Sequence, residues 1–295
     1  AASTWVLIIR STYWRGRASV RWRRLLPYLC TTRWRGPHSR PAANPNRLMS
    51  FVSLHIRYQS AGMVPPPYTH FYKLTARPAA MNGVQIDFSI TYIDREELDE
   101  EDITGEGFTA NDNFSWSGQL GKDWLPVVHA IVSNTRLGPF DETALGEKDD
   151  FLEVTLDAGY DDPELGTPKD PEPFLYAVQE LIQAIYEASG KEKPFEMSYL
   201  SFQRSGNSEV HLQAQFATRT VKLITILNGD EQNRTLPWEK LRTVMSIVFA
   251  HDYIPGEGTA KPPKRDGHYL DIGGDEWYDI GQFDEVHQTL GALLA

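Results

Sequence analysis

The sequence predicts an α+β fold made of two similar halves, each an antiparallel sheet that carries helices. Three observations predict it. Apolar and polar residues alternate in several short segments, most clearly at residues 84–92, which is typical of half-buried strands. Four longer segments place apolar residues three and four positions apart, as helices do. The order of these strands and helices also occurs twice along the chain.

The first half contains four predicted strands and two predicted helices. Asn82-Gly83 is the strongest turn signal and joins the first two strands into a hairpin. Asp123 is a suitable N-cap for the first helix, and Gly190 is a suitable C-terminal residue for the second. The predicted strands are residues 71–77, 84–92, 114–120 and 151–156, and the helices begin near Trp124 and Pro173.

The second half shows the same kinds of element. Its strands are predicted at residues 195–204, 210–216, 220–227, 269–272 and 277–280, and its helices begin near Trp238 and Phe283. Trp124 and Trp238 lie 114 residues apart, and Phe174 and Phe283, which open the last helix of each half, lie 109 apart. These similar offsets predict an internal duplication of a βββαβα unit, with one half at residues 63–190 and the other at 191–295.

The charge distribution separates residues 1–62 from the rest of the chain. This segment has eleven arginines, no lysine and no acidic residue, whereas the remainder has a net charge of -22. We interpret residues 1–62 as a disordered leader, and three origins fit its composition. A mitochondrial transit peptide is rich in arginine and poor in acidic residues. An upstream segment translated in the wrong frame can have the same composition, and Met63 would then be the true start. A basic arm for nucleic acid or anionic lipid is the third.

The acidic body limits the partners that we expect. Its charge disfavours nucleic acid and anionic membranes and favours a basic protein or peptide. No apolar run approaches the length of a membrane helix, of about 18 residues or more. The single cysteine, Cys30, excludes an internal disulfide and a zinc site made of several cysteines. We expect a cytoplasmic protein, or one of the mitochondrial matrix if the leader is a transit peptide.

The sequence lacks the common catalytic motifs. It has no phosphate-binding loop, no dinucleotide fingerprint, no HExxH and no GxSxG. Read from the helix near Pro173, the order helix, three strands, helix, two strands, helix resembles the fold of type III secretion chaperones. That resemblance implies a binding role. The leading hypothesis is therefore a non-enzymatic interaction protein with an acidic surface, without a cofactor.

Two candidate binding surfaces follow from this hypothesis. The loop from Asp94 to Asp112 crowds eight carboxylates into residues 94–106, among them Glu97, Glu100 and Glu101. Such a loop is a solvated and mobile segment, a docking surface for a protein, or a site for Ca²⁺ or Mg²⁺. Trp277 and Tyr278 follow a Gly-Gly turn and are the aromatic candidates for a binding surface.

The alternative hypothesis is a metal-assisted hydrolase that uses a C-terminal cluster. His251, Asp252, His268 and Asp271 lie within 21 residues and offer nitrogen and oxygen ligands to a divalent metal. An ordinary explanation also exists for His251, because an imidazole at a helix C-terminus interacts favourably with the helix dipole.

Overall fold

The computed structural model describes residues 51–159, 162–204, 206–254 and 256–294. These residues form two compact units, with Lys191 as the last residue of the first unit and Glu192 as the first residue of the second. Each unit is an antiparallel sheet with helices, so the predicted α+β class is confirmed.

The first unit is built on a seven-stranded sheet. Its strands are β1 (Ser53–Gln59), β2 (His70–Pro78), β3 (Val84–Tyr92), β4 (Phe114–Leu120), β5 (Leu137–Gly138), β6 (Phe151–Asp157) and β7 (Glu164–Pro168). They are ordered β4-β3-β2-β1-β6-β7-β5 across the sheet. The helices are α1 (Glu100–Gly105), α2 (Leu125–Asn134) and α3 (Pro171–Ala188).

Strand β1 overturns the predicted start of the fold at residue 63. It lies in the middle of the sheet, paired with β2 on one side and with β6 on the other. Leu54 and Ile56 are at most 1 % exposed. Their alternation with His55 and Arg57 is an ordinary strand pattern, which the arginine-rich composition of the segment obscured. The interpretations of residues 1–50 lie outside the described residues.

One face of this sheet forms the core of the first unit. Leu54, Leu74, Ile86 and Val154 lie on it and are at most 1 % exposed. Helix α3 contacts β4 and β7, and its Tyr186 ring packs 4.9 Å from the ring of Phe114, centroid to centroid. Successive side chains of a strand point to opposite faces. The polar residues that alternate with these apolar ones therefore lie on the other face of the sheet.

The second unit is built on a six-stranded sheet. Its strands are β8 (Phe195–Gln203), β9 (Gly206–Gln215), β10 (Thr220–Leu227), β11 (Asp230–Leu236), β12 (Gly267–Asp271) and β13 (Trp277–Asp279), in the order β11-β10-β9-β8-β12-β13. Helices α4 (Trp238–Val248) and α5 (Asp284–Gly291) contact each other, and α4 contacts β10. Val210, Leu223 and Leu270 of the sheet and Leu290 of α5 are fully buried.

Both units contain strands that the sequence patterns did not predict. Each unit has four strands rather than three before helix α2 or α4, because β1 precedes the first unit's hairpin and the polar strand β11 follows β10. In the first unit the short helix α1 lies between β3 and β4. The helix–three-strand–helix order behind the chaperone resemblance is therefore wrong. The two sheets share one strand order, since β4-β3-β2-β1-β6-β7 matches β11-β10-β9-β8-β12-β13. This order is compatible with the duplication, which stays a prediction.

Membrane-spanning helices were sought in the part of the chain that the structure describes. No helix there is both long enough and apolar enough to cross a bilayer.

Candidate functional site

The acidic loop of the first unit is a folded element, which we name the acidic lobe and define as residues 94–112. It contains a short 3-10 turn at Arg95–Glu97 and helix α1. Ile103 of α1 and Phe108 after it are 5 % and 7 % exposed, so the lobe has an apolar side that packs inward. The segment is therefore partly helical and partly buried rather than a solvated loop along its whole length, and its predicted mobility stays a prediction.

Arg95 is a buried residue that links the acidic lobe to the rest of the first unit. It is 8 % exposed, although arginine is seldom buried unless its charge is paired. Its Nη1 lies 2.6 Å from Oδ2 of Asp112 and also donates to the carbonyl oxygen of Thr109. Its Nε donates to the carbonyl oxygen of Pro67, outside the lobe. One side chain thus ties both ends of the lobe to the body of the unit.

Aromatic rings complete the environment of Arg95. The guanidinium carbon lies 3.9 Å from the ring centroid of Tyr92 and 4.6 Å from that of Phe108. Contacts of this kind are worth about 0.5–2 kcal/mol each, with the larger values where water is excluded. They compensate in part for Nη2, which is buried and has no hydrogen-bond partner among the residues described. The arginine is therefore held by contacts with two aromatic rings as well as by its ion pair.

Two further sets of hydrogen bonds fix the second half of the lobe. Asp112 accepts from the backbone N–H and from the hydroxyl of Thr109, at 2.9 and 2.7 Å. The Tyr68 hydroxyl donates to Oε2 of Glu106 at 2.6 Å. Glu106 is thereby held at the inner edge of the lobe, while the other acidic residues around α1 face solvent.

The exposed surface of the lobe is strongly acidic. Residues 94–106 contain eight acidic residues and a single basic one, Arg95, which is buried. The exposed acidic residues are Asp94, Glu96, Asp99, Glu100, Glu101 and Asp102. Glu100 and Glu101 were predicted as binding residues and lie on this surface, in the first turn of α1. Glu97, the third predicted residue, closes the 3-10 turn, and its side chain lies outside the description.

The predicted metal ligands do not converge. Among the described residues, no group of three or more His, Cys, Asp or Glu side chains is placed to hold a metal ion. The hypothesis of a metal-assisted hydrolase at His251, Asp252, His268 and Asp271 therefore has no geometric support. Each of these residues lies in the second unit, and local contacts explain the positions of His251, His268 and Asp271.

The two histidines of this set pack against other rings. His251 stacks on Phe283 with ring centroids 4.1 Å apart. His268 stacks on His287 at 4.3 Å, and its Nδ1 lies 2.9 Å from the hydroxyl oxygen of Tyr199. Burial, together with the nearby His287, lowers the pKa of His268. His268 thus packs strand β12 against α5, and His251 packs the segment after α4 against the residue that precedes α5.

Asp271 caps a turn. Its Oδ1 accepts from the backbone N–H groups of Gly273 and Gly274, at 2.8 and 3.1 Å. Burial raises the pKa of this carboxyl, although the two backbone donors act in the opposite direction. The Gly-Gly turn between β12 and β13 is thereby closed by the carboxylate that was a candidate metal ligand.

Trp277 and Tyr278 are half-buried in β13, at the edge of the second sheet. Trp277 forms two backbone hydrogen bonds with Thr259, and the Tyr278 hydroxyl donates to Oε2 of Glu276 at 2.7 Å. Burial, followed by the neighbouring Glu276, raises the pKa of Tyr278. Both aromatic residues hold the 256–279 region together, and their role in binding stays a prediction.

Arg95 and Asp112 are the residues of the acidic lobe that sequence reasoning missed. A signal for Arg95 was present, because it is the single basic residue in a run of eight acids. A lone cation among so many carboxylates is a candidate for an ion pair within the segment. Asp112 carried no comparable signal, since it lies seventeen positions away and the fold alone brings the pair together.

Comparisons with known protein families, with curated proteins and with solved structures found no match to this chain.

Proposed function

We propose that this chain is a binding protein that docks a basic segment of a protein partner on the acidic lobe. One observation carries the proposal: Arg95, the single basic residue of 94–106, is buried and paired with Asp112. The exposed charges described on the lobe are therefore all negative. A segment rich in lysine or arginine is the partner whose charge complements this surface.

The order of the lobe supports recognition by a preorganised surface. A mobile acidic loop would lose conformational entropy on binding, which costs about 1–2 kcal/mol for each residue ordered. Here helix α1 and the contacts of Arg95 hold the carboxylates in place before a partner arrives. Preorganisation lowers the cost of association, so a modest set of ion pairs is enough for specific docking.

A charge-neutralising variant tests the role of the lobe. Glu96→Gln, Glu100→Gln and Glu101→Gln together remove three exposed charges and leave Arg95 and Asp112 intact. The probe is a fluorescently labelled octapeptide of arginine, and its fluorescence anisotropy gives the Kd. With about 0.5 kcal/mol for each exposed pair, the triple variant is expected to bind about tenfold more weakly.

The matched control removes the same charge elsewhere on the same unit. Glu142→Gln, Glu147→Gln and Glu164→Gln are exposed positions outside the lobe. We expect this variant to bind within twofold of the unchanged protein, and binding of the unchanged protein to weaken as salt is raised. Equal losses in both triple variants would show attraction by net charge alone and would refute docking on the lobe.

A further inference from the structure

The second unit holds a hydrogen-bonded chain of serine, histidine and carboxylate. Oγ of Ser198 lies 2.9 Å from Nδ1 of His211, and Nε2 of the same ring lies 3.2 Å from Oε2 of Glu209. All three residues lie on the polar face of the sheet, opposite the face that packs against α4 and α5. These three hydrogen-bonded residues are separate from the acidic lobe, which belongs to the first unit.

Regular strands position these three side chains. Ser198 of β8 lies directly opposite His211 of β9 in the antiparallel register. Glu209 precedes His211 by two residues on β9, so both side chains point to the same face. The geometry is thus set by the backbone ladder of the sheet, and strands position side chains more rigidly than loops do.

The carboxylate determines which ring nitrogen carries the proton in neutral His211. An ionised Glu209 can only accept a hydrogen bond, so Nε2 must carry the hydrogen that it donates. Nδ1 then has a free lone pair and accepts the hydrogen of the Ser198 hydroxyl. A hydroxyl bonded to a base that is itself oriented by a third group is the arrangement that activates nucleophilic serines.

A groove of about 480 Å³ adjoins Ser198 and His211. Sites for small molecules commonly have volumes of about 300–1,000 Å³. Lys222 and Asn233 also line the groove, two and three strands away from Ser198, and offer polar groups to the outer part of a ligand. Ile224 adds an apolar contact for the carbon part of a ligand.

We propose that Ser198 is an activated nucleophile whose substrates are small carboxylic esters bound in this groove. Oγ bonds to the carbonyl carbon while its proton passes to Nδ1 of His211. The bond from that carbon to the ester oxygen then breaks, and Nδ1 returns the proton to the departing alkoxide, which leaves as an alcohol. Water repeats the sequence on the acyl-serine and releases the carboxylic acid. Glu209 is a positioning residue that acts through His211.

Covalent labelling of the full chain by a fluorophosphonate probe tests this proposal. The serine oxygen bonds to phosphorus and fluoride leaves, so intact-mass measurement and peptide mapping report one adduct and its position. We expect an adduct on Ser198, none in Ser198→Ala, and labelling about 100-fold slower in His211→Ala, within the range for loss of a general base. Glu209→Gln is expected to slow labelling about tenfold, and Glu209→Asp to recover most of it.

The chain offers a matched control in its first unit. Nδ1 of His55 lies 3.0 Å from Oγ1 of Thr75, also across two neighbouring strands. No carboxylate hydrogen-bonds to His55 among the described residues, so this pair lacks the third member. Thr75→Ala is expected to leave labelling unchanged. Labelling of the unchanged protein that is no faster than that of Ser198→Ala, or an adduct at another residue, would overturn the proposal.

Circular dichroism melts separate loss of the site from loss of the fold. Ser198, His211 and Glu209 lie on the partly exposed face, so their substitutions should leave the melting transition in place. A variant that melts with the unchanged protein and fails to label reports on the nucleophile itself. The outcome is independent of the acidic lobe, because the peptide-binding and labelling measurements probe different units.

Discussion

Replacement of Arg95 by methionine removes the charge and the donors that hold the acidic lobe while keeping a long apolar stem. Asp112 loses its cationic partner at 2.6 Å, and the carbonyl oxygens of Pro67 and Thr109 each lose a donor. The cost of removing one member of a buried pair is about 3–5 kcal/mol. Asp112 is 22 % exposed and keeps its bonds from Thr109, so we expect a value near the lower end, about 3 kcal/mol.

This free energy should act on the lobe before it acts on the whole unit. A loss of about 3 kcal/mol raises the population of the locally opened lobe about 100-fold. The amides of Ile103 and Phe108 donate to backbone carbonyls within the lobe, so their hydrogen exchange reports this opening. We expect both amides to exchange about 100-fold faster in Arg95→Met when measured by mass spectrometry, with strands β1 and β2 unchanged.

Two control variants separate the loss of the Arg95 contacts from the loss of any arginine of the unit. Arg95→Lys keeps the charge but loses the planar fork, so an intermediate acceleration is expected. Arg77→Met removes an exposed arginine of the same unit, whose bridge to Asp87 spans 3.2 Å between half-exposed side chains. Exposed pairs contribute about 0–1 kcal/mol, so the lobe should not respond to this change. Unchanged exchange of Ile103 and Phe108 in Arg95→Met would refute the anchoring role of Arg95.

Further predictions concern stability. Burial lowers the pKa of His70, so the unfolded state binds its proton at higher pH. At pH values below about 6.5 the unfolding free energy should therefore decrease, by up to ~1.4 kcal/mol per pH unit. In urea titrations of His70→Phe, this contribution to the pH dependence of stability should be absent. Trp124 is fully buried, so Trp124→Ala should lower the free energy of unfolding in urea by about 3–5 kcal/mol. Trp277 is half-buried, so Trp277→Ala should lower it clearly less. In Gly166→Ala the new Cβ would lie 2.1 Å from a backbone oxygen of β5, so a lower melting temperature is expected, whereas Gly105→Ala meets nothing within 4 Å and should raise it slightly. Equal effects within either matched pair would contradict the packing described.

Regular periodicity explains which elements could be predicted from the sequence. Strand β3 alternates buried and partly exposed positions along its length, and helix α3 buries one face, so both have an unambiguous period. Strand β11 has no such pattern, because it lies at the sheet edge and six of its seven residues are exposed. Strand β1 has the pattern but lies in an arginine-rich segment whose composition argued for disorder.

The candidate site was predictable only in part, because its parts come from distant positions. Glu100 and Glu101 were visible as charges, and charge is a property of composition. The order of the lobe depends on Arg95, Asp112 and Pro67, which approach one another only in the folded unit. Likewise, Ser198 and His211 become neighbours through the register of β8 and β9, which no local pattern specifies.

Peptide binding by Arg95→Met tests the docking proposal most directly. The substitution makes the lobe one charge more negative, so attraction by charge alone predicts equal or tighter binding of the arginine octapeptide. Docking on a preorganised lobe predicts the opposite, because the carboxylates lose their fixed positions. Anisotropy titrations at physiological salt should therefore give a Kd about tenfold higher for Arg95→Met than for the unchanged protein. A Kd that is unchanged or lower would contradict the account.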